Sequence, residues 1–112
     1  MPRISACVIT KNEENNIGEW LACVRQLASE IVVVDTGSTD RTVELARAGG
    51  AEIRHFTWCN DFSAAKNFAL DQVTGEWVIF LDADEHFLDR DVPHVRAVIE
   101  KYHRDLRVVG LG

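Results

Sequence analysis

Two apolar runs that each end abruptly on an aspartate constrain this chain more than any other feature. Ile31-Val32-Val33-Val34 leads into Asp35, and Trp77-Val78-Ile79-Phe80-Leu81 leads into Asp82. Both are too short for a buried helix and continuous rather than alternating, and the first is wholly β-branched. Strands buried on both faces of a parallel sheet have this character. Residues 4–10, with Cys7, Val8 and Ile9, form a third such run.

Between the runs apolar residues recur at helical spacing: Ile17, Leu21, Val24, Leu27 and Ala28, then Val43, Leu45 and Ala46, then Phe62, Ala65, Ala69 and Val73. Ser38 or Asp40 is a candidate cap for the second helix, and Asp61 or Ser63 for the third; Gly49-Gly50 and Gly75 are expected stops. Residues 53–56 are expected as a short strand. Pro93 suits the first turn of a helix running to about residue 103, and residues 107–110 open a further strand. Alternation of this kind predicts a doubly wound α/β fold, its mostly parallel sheet covered by helices on both faces and joined by right-handed crossovers. At 112 residues and 46% hydrophobic, the chain supports one core and one domain. Ligands in such sheets bind beyond the carboxyl ends of the strands. Thr10, Asp35 and Asp82 stand at those ends.

The formal net charge is −6 and Lys and Arg are not clustered, which excludes a phosphate-tracking nucleic-acid surface. An anionic ligand then requires a carboxylate-held metal or a helix N-terminus. Cys7, Cys23 and Cys59 are odd in number and widely spaced, as reduced cysteines of a cytoplasmic fold are, and not as a zinc site or disulfide framework. His55, His86, His94 and His103 show no ligand spacing. No stretch approaches the roughly 20 apolar residues of a membrane span, so a soluble chain without an address is expected.

Asp82-Ala83-Asp84-Glu85 is the strongest chemical signal. An extended chain aims Asp82 and Asp84 the same way, and two convergent carboxylates call for a cation. Mg²⁺ or Mn²⁺ takes one or two protein carboxylates and completes its shell with phosphate oxygens and water, which makes a metal-diphosphate site. Taken alone, the tetrapeptide is equally compatible with Asp82 as a helix cap beside two exposed acids. Asp35-Thr36-Gly37-Ser38-Thr39-Asp40 places a carboxylate at the binding edge, able to accept from a base imide N–H or a ribose hydroxyl, with Gly37 allowing a tight turn. Lys66 and Asn67 fall early in the third helix, where Lys66 is either a diphosphate contact or a plain exposed lysine.

Four stretches in order, Val8-Ile9-Thr10-Lys11-Asn12-Glu13, Val34 to Asp40, Ala65-Lys66-Asn67 and Leu81-Asp82-Ala83-Asp84-Glu85, resemble family 2 glycosyltransferases of GT-A fold. The tract around Trp58, Asp61, Phe62 and Ser63 is similar to bacterial members found with tetratricopeptide repeats. The resemblance implies that Thr10, Asn12 and Glu13 line the nucleoside pocket with Asp35 on the base and Ser38 beside it. Lys66, where many relatives have arginine, would touch the base or phosphate region; Asp82 would meet ribose or metal with Ala83 adjacent, and Asp84 would be the main metal ligand. Many relatives carry two acids after the second strand, where this chain has Asp35-Thr36.

It further implies inverting transfer from a nucleotide-diphospho-sugar, with UDP favoured over GDP or dTDP, Mg²⁺ or Mn²⁺ as cofactor, and a glycan, lipid or protein acceptor. The family's catalytic base lies beyond the matched segment, so the chain is expected to be the nucleotide-sugar-binding part of a longer domain, cytoplasmic or peripheral to the inner face of a membrane. Glu85, His86 and Asp91 are near the site in sequence, and none is assigned that role. A phosphatase using Asp82 as nucleophile predicts its motif at the start of the fold, followed by Gly-Thr, whereas here it comes late and is followed by Glu85-His86. A dinucleotide-binding domain requires GxGxxG where Lys11-Asn12-Glu13 stands. A non-catalytic nucleotide-binding piece, or one that self-associates through an exposed sheet edge, is the remaining alternative.

Overall fold

A computed structural model describes residues 3–84, 89–102 and 108–110. Glu85, His86, His103 and Arg107, considered above, lie outside them. The chain runs β1 (Ile4–Thr10), α1 (Ile17–Val24), β2 (Glu30–Asp35), α2 (Thr42–Ala48), β3 (Glu52–His55), α3 (Phe62–Asp71), β4 (Trp77–Phe80), a 3₁₀ turn (Asp89–Asp91), α4 (Val92–Tyr102) and β5 (Val108–Gly110). All strand pairings are parallel, in the order β3-β2-β1-β4-β5.

The continuous apolar runs follow from burial on both sides. Ile4, Ala6, Val8, Val33, Trp77 and Ile79 face one layer, where Ile17, Trp20, Leu21 and Val24 of α1, Ala46 of α2 and Val95 of α4 meet them. Cys7, Val32, Val34 and Val78 face the other, against Ala69 and Phe68 of α3. Each large apolar side chain fully withdrawn from water in this way contributes about 1.5–3 kcal/mol.

The strand order reverses at β1. From there β2 and β3 build outward on one side and β4 and β5 on the other, so the switch point of the sheet, where such folds bind ligands, falls between β1 and β4. Register puts Thr10 opposite Asp35, and Asp35 opposite His55.

Several expectations are corrected. α1 ends at Val24, and Leu27 and Ala28 follow in a turn whose N–H groups both donate to the Val24 carbonyl; their packing is kept without helix. α3 ends at Asp71, so Gly75 is not its stop. A Cβ on Gly75 would lie 2.5 Å from Ser5 Oγ and 2.8 Å from Ser5 N, so glycine there lets the entry to β4 lie flat against β1. α2 does stop before Gly49-Gly50, and Asp40 rather than Ser38 accepts from the Thr42 N–H at its start. Asp61 caps α3 by accepting from Ala64 N at 3.1 Å. Phe62, expected on the buried side of that helix, is 52% exposed. β3 begins one residue earlier than expected.

β3 is an edge strand carrying a Glu52–Arg54 ion pair of 3.1 Å, and charge on an edge opposes addition of another strand. Among the described residues no helix is long and apolar enough to cross a membrane.

Candidate functional site

The loops leaving β1 and β2 are tied together along their length. Asn12 N donates to Ser38 Oγ at 2.8 Å and Thr39 N donates to Asn12 Oδ1 at 2.8 Å. Glu13 N donates to Thr42 Oγ1 at 2.8 Å, and Glu14 N to Asp40 Oδ2 at 3.2 Å. Asn12 holds a left-handed φ of 56°, a conformation asparagine tolerates better than most residues, and this aims its side chain across the gap. Asn12 and Ser38, both expected at the nucleotide, thus bond to each other and shape the rim.

Asp35 is the centre of this network. It is 3% exposed, and its carboxylate accepts from Thr10 Oγ1 at 2.9 Å, Ser38 Oγ at 2.5 Å, Ser38 N at 2.9 Å and Gly37 N at 3.1 Å. An ionised carboxylate offers about four acceptor positions, and four donors fill them. Burial opposes its ionisation, but the Ser38 hydroxyl and N–H, the Gly37 N–H and the Thr10 hydroxyl together outweigh that and hold its pKa below the ordinary carboxylate value. The sequence places Asp35 at the ligand edge; in the structure its carboxylate also holds the turn that Gly37, at φ 114°, closes.

Two cavities open beside this turn, of about 230 and 280 Å³. Ile9, Thr10, Lys11, Glu13, Thr36, Trp58 and Phe62 line the first. Asp35, Thr36, Gly37, His55, Phe56, Thr57 and Trp58 line the second. Thr36 and Trp58 belong to both, so the two are lobes of one groove. The sequence marks Trp58 only as part of a tract, and His55 only as a histidine without ligand spacing. The hydrophilic loop around Trp58 gives no periodic signal, but a tryptophan in such a loop, with no helix or strand face to occupy, is itself a pointer to a surface site.

On the other side of β1, Leu81 is 1% and Ala83 7% exposed, while Asp82 and Asp84 are exposed. Exposure alternates along Leu81-Asp82-Ala83-Asp84, but Ala83 and Asp84 form a turn and not the extended chain expected to aim the two acids the same way. Trp20, wholly buried in α1, donates from Nε1 to the Leu81 carbonyl at 2.8 Å and so anchors the backbone just before the acids. Lys66 Nζ lies 5.2 Å from the Phe80 ring centroid, over its face, at the end of β4. Cys7 lies deeper; burial pushes its thiol up to about 12, against the opposing pull of the Lys66 charge. The structure therefore gathers Thr10, Asn12, Glu13, Asp35 and Ser38 on the β1–β2 side, and Asp82, Ala83, Asp84 and Lys66 around the end of β4.

The sequence model described as Glycosyl transferase family 2 matches residues 5–111. The chain belongs to this family. Among its relatives, a tetratricopeptide repeat-containing protein of Synechococcus elongatus is 42% identical over 88 residues, 79% of this chain and 22% of that protein. A glycosyltransferase of Rickettsia typhi is 32% identical over 94% of this chain and 36% of its own. The prophage-derived glycosyltransferase SunS of Bacillus subtilis is 39% identical over 74% and 20%. This family 2 chain thus spans between about a fifth and a third of the curated relatives it matches. Of solved structures, S. aureus TarS superposes with a TM-score of 0.72 at 31% identity, covering 90% of this chain and 33% of that one. Glucosyl-3-phosphoglycerate synthase of Mycobacterium tuberculosis shares the fold, with a TM-score of 0.71 at 23% identity over 92% of this chain and 40% of that one; that enzyme has been crystallised with UDP and Mn²⁺.

Proposed function

We propose that this family 2 chain binds the nucleotide-diphospho-sugar donor of an inverting glycosyltransferase. The carrying observation is an adjacency: β1 pairs with both β2 and β4, so the groove at Thr10 and the acids after Phe80 lie beyond neighbouring strand ends. Adjacent strands are about 4.8 Å apart, so a nucleoside in the groove can extend its diphosphate to Asp82 and Asp84.

Asp82 and Asp84 fit a divalent cation, being exposed, oxygen-only donors separated by one buried residue. Bound there, Mg²⁺ or Mn²⁺ would offset charge on the departing nucleoside diphosphate. The chain's own residues do the rest. Thr10, Glu13 and Thr36 face the nucleoside, the Asp35 turn fixes that wall, and Lys66 adds a positive charge for phosphate. Direct displacement at the anomeric carbon also needs a base for the acceptor hydroxyl, and no residue described here is given that role. UDP is the favoured nucleotide, by family resemblance. Cys7, Cys23 and Cys59 are thiols with no disulfide, which suits a reducing cytoplasm.

Calorimetric titration of UDP, GDP and dTDP, with and without Mn²⁺, tests this. Tight binding of one nucleotide that requires Mn²⁺ and is lost in Asp84→Ala is expected; a folded chain that binds none of them overturns the proposal.

A further inference from the structure

The groove has one exposed indole that the donor-site assignment leaves without a task. Of the three tryptophans, Trp20 and Trp77 are 0% exposed in the core, whereas Trp58 is 40% exposed. Trp58 stands between the two lobes and lines both. It is also held in place: Nε1 donates to Asn60 Oδ1 at 3.0 Å, and Asn60 adopts a left-handed φ of 59° in the same loop. The ring's one polar atom is therefore spent within the loop. What it has left for a ligand is an aromatic face whose orientation is restricted beforehand, and such a surface recognises a planar ring by stacking.

The neighbouring wall points to the same kind of ligand. Asp35 lines this wall with its carboxylate fixed by four donors, so the edge of a base placed there meets a group that does not move. The 280 Å³ lobe is close to the lower bound of about 300 Å³ for small-molecule sites, a size for a single base, which leaves the adjoining lobe beside Thr10 and Glu13 for the rest of the nucleoside. Phe56 in this lobe packs on Phe68 of α3 with ring centroids 5.1 Å apart, which gives it a firm apolar floor.

We propose that Trp58 is the nucleobase platform of this site, stacking on the base while Asn60 fixes the indole plane. This rests on the donor-nucleotide function proposed above. Stacking has no edge pattern to read, so Trp58 supplies affinity common to all bases, and any choice among them falls to the polar groups around it.

Acrylamide-accessible fluorescence isolates this residue, because the other two tryptophans are buried from the quencher. The chain is titrated with uridine, UMP and UDP while the acrylamide-accessible emission is followed, with calorimetry of UDP and Mn²⁺ in parallel. Saturable quenching by uridine alone, without metal, is expected. Trp58→Ala should weaken UDP by roughly tenfold to a hundredfold, the range for losing one base–aromatic stack, with equal proportional losses for every nucleotide that binds. Trp58→Phe should stay within about threefold of the parent, since a ring remains, and Asn60→Ala should fall between. Trp58 lies outside the core, so unchanged thermal unfolding in these variants separates binding loss from misfolding. UDP binding that leaves the emission unaltered, or that is undiminished in a folded Trp58→Ala, overturns the platform while sparing the donor site. Absence of UDP binding to the parent chain overturns both.

Discussion

Thr10 and Asp35 face each other as the last register pair of β1 and β2, and the Thr10 hydroxyl donates to Asp35 Oδ1 at 2.9 Å. The ends of both strands are thereby tied at the point where each chain turns away into its loop. Asp35→Asn should be costly, because an amide presents N–H where the native oxygens receive donors. Mispairing at a buried site costs about 1–3 kcal/mol. Urea denaturation should show a loss of that size, and nucleotide affinity should fall along with it as the Gly37–Ser38 turn loosens.

The same carboxylate gives a pH signature. Its folded pKa is depressed, so its contribution is fully present above the ordinary carboxylate pKa of about 4 and is lost as pH falls through the lower folded value. Glu30, whose burial opposes ionisation but whose pKa is held low by bonds from Thr74 N, Ser5 Oγ and Thr74 Oγ1 and by the nearby Arg3, acts in the same direction. Stability measured from pH 7 to pH 3 should decline at the acid end, and the decline should be shallower in Asp35→Asn. An equally steep decline in the variant would remove Asp35 as a contributor.

Gly75 and Gly18 make a matched pair. An added methyl at Gly75 meets Ser5 Oγ at 2.5 Å and Ser5 N at 2.8 Å, the latter backbone, whereas nothing lies within 4 Å of one at Gly18 in α1. Gly75→Ala should destabilise by about 1–3 kcal/mol through overpacking. It should also disturb Ser5, which accepts from Gly75 N and donates to Glu30 Oε1. Gly18→Ala should be stabilising by about 0.5–1 kcal/mol, the usual helix gain over glycine. Thermal unfolding of the two variants side by side checks both signs.

Much of this architecture was legible because burial on both faces leaves continuous apolar runs, and residues 4–10 and 31–34 carry that mark clearly. Helix ends were less legible. The spacing of Leu27 and Ala28 is helical although their turn is not, since packing against the core fixes which side chains point inward, not how the backbone gets them there. Gly75 looked like a stop because a close backbone approach and a helix terminus call for the same residue. At the site, the carboxylates announced themselves by their place after apolar runs, whereas the engagement of Asp35 depends on donors from Thr10, 25 positions away, and on the fold of its own turn. Trp58 gave no periodic signal, and its position between two lobes exists only once β3 and α3 are in place.

Trp20 offers a test of how the acids are supported from behind. Trp20→Phe keeps most of the ring in the core but removes the donor that Leu81 O receives at 2.8 Å. A buried carbonyl left without its partner costs about 1–3 kcal/mol, and relief comes from shifting the Leu81–Asp82 backbone. Mn²⁺ titration in the presence of UDP should therefore show weaker metal affinity in Trp20→Phe, with uridine binding in the groove little changed. Parallel losses for Mn²⁺ and uridine would mean general loosening of the fold instead.

Lys66 is solvent-exposed and has its ammonium over the Phe80 face at 5.2 Å, at the end of the strand that leads to Asp82. The proposed function assigns Lys66 to phosphate rather than to the base, and that assignment has a clear consequence. Lys66→Met preserves the apolar stem against Phe80 and removes only the charge. UDP affinity should drop several-fold at low salt, uridine affinity should hold, and the difference between parent and variant should shrink as ionic strength rises, because exposed charges more than about 8 Å apart are screened at physiological salt. A variant that loses uridine and UDP affinity equally would place Lys66 at the base, the other position open to it from the family pattern.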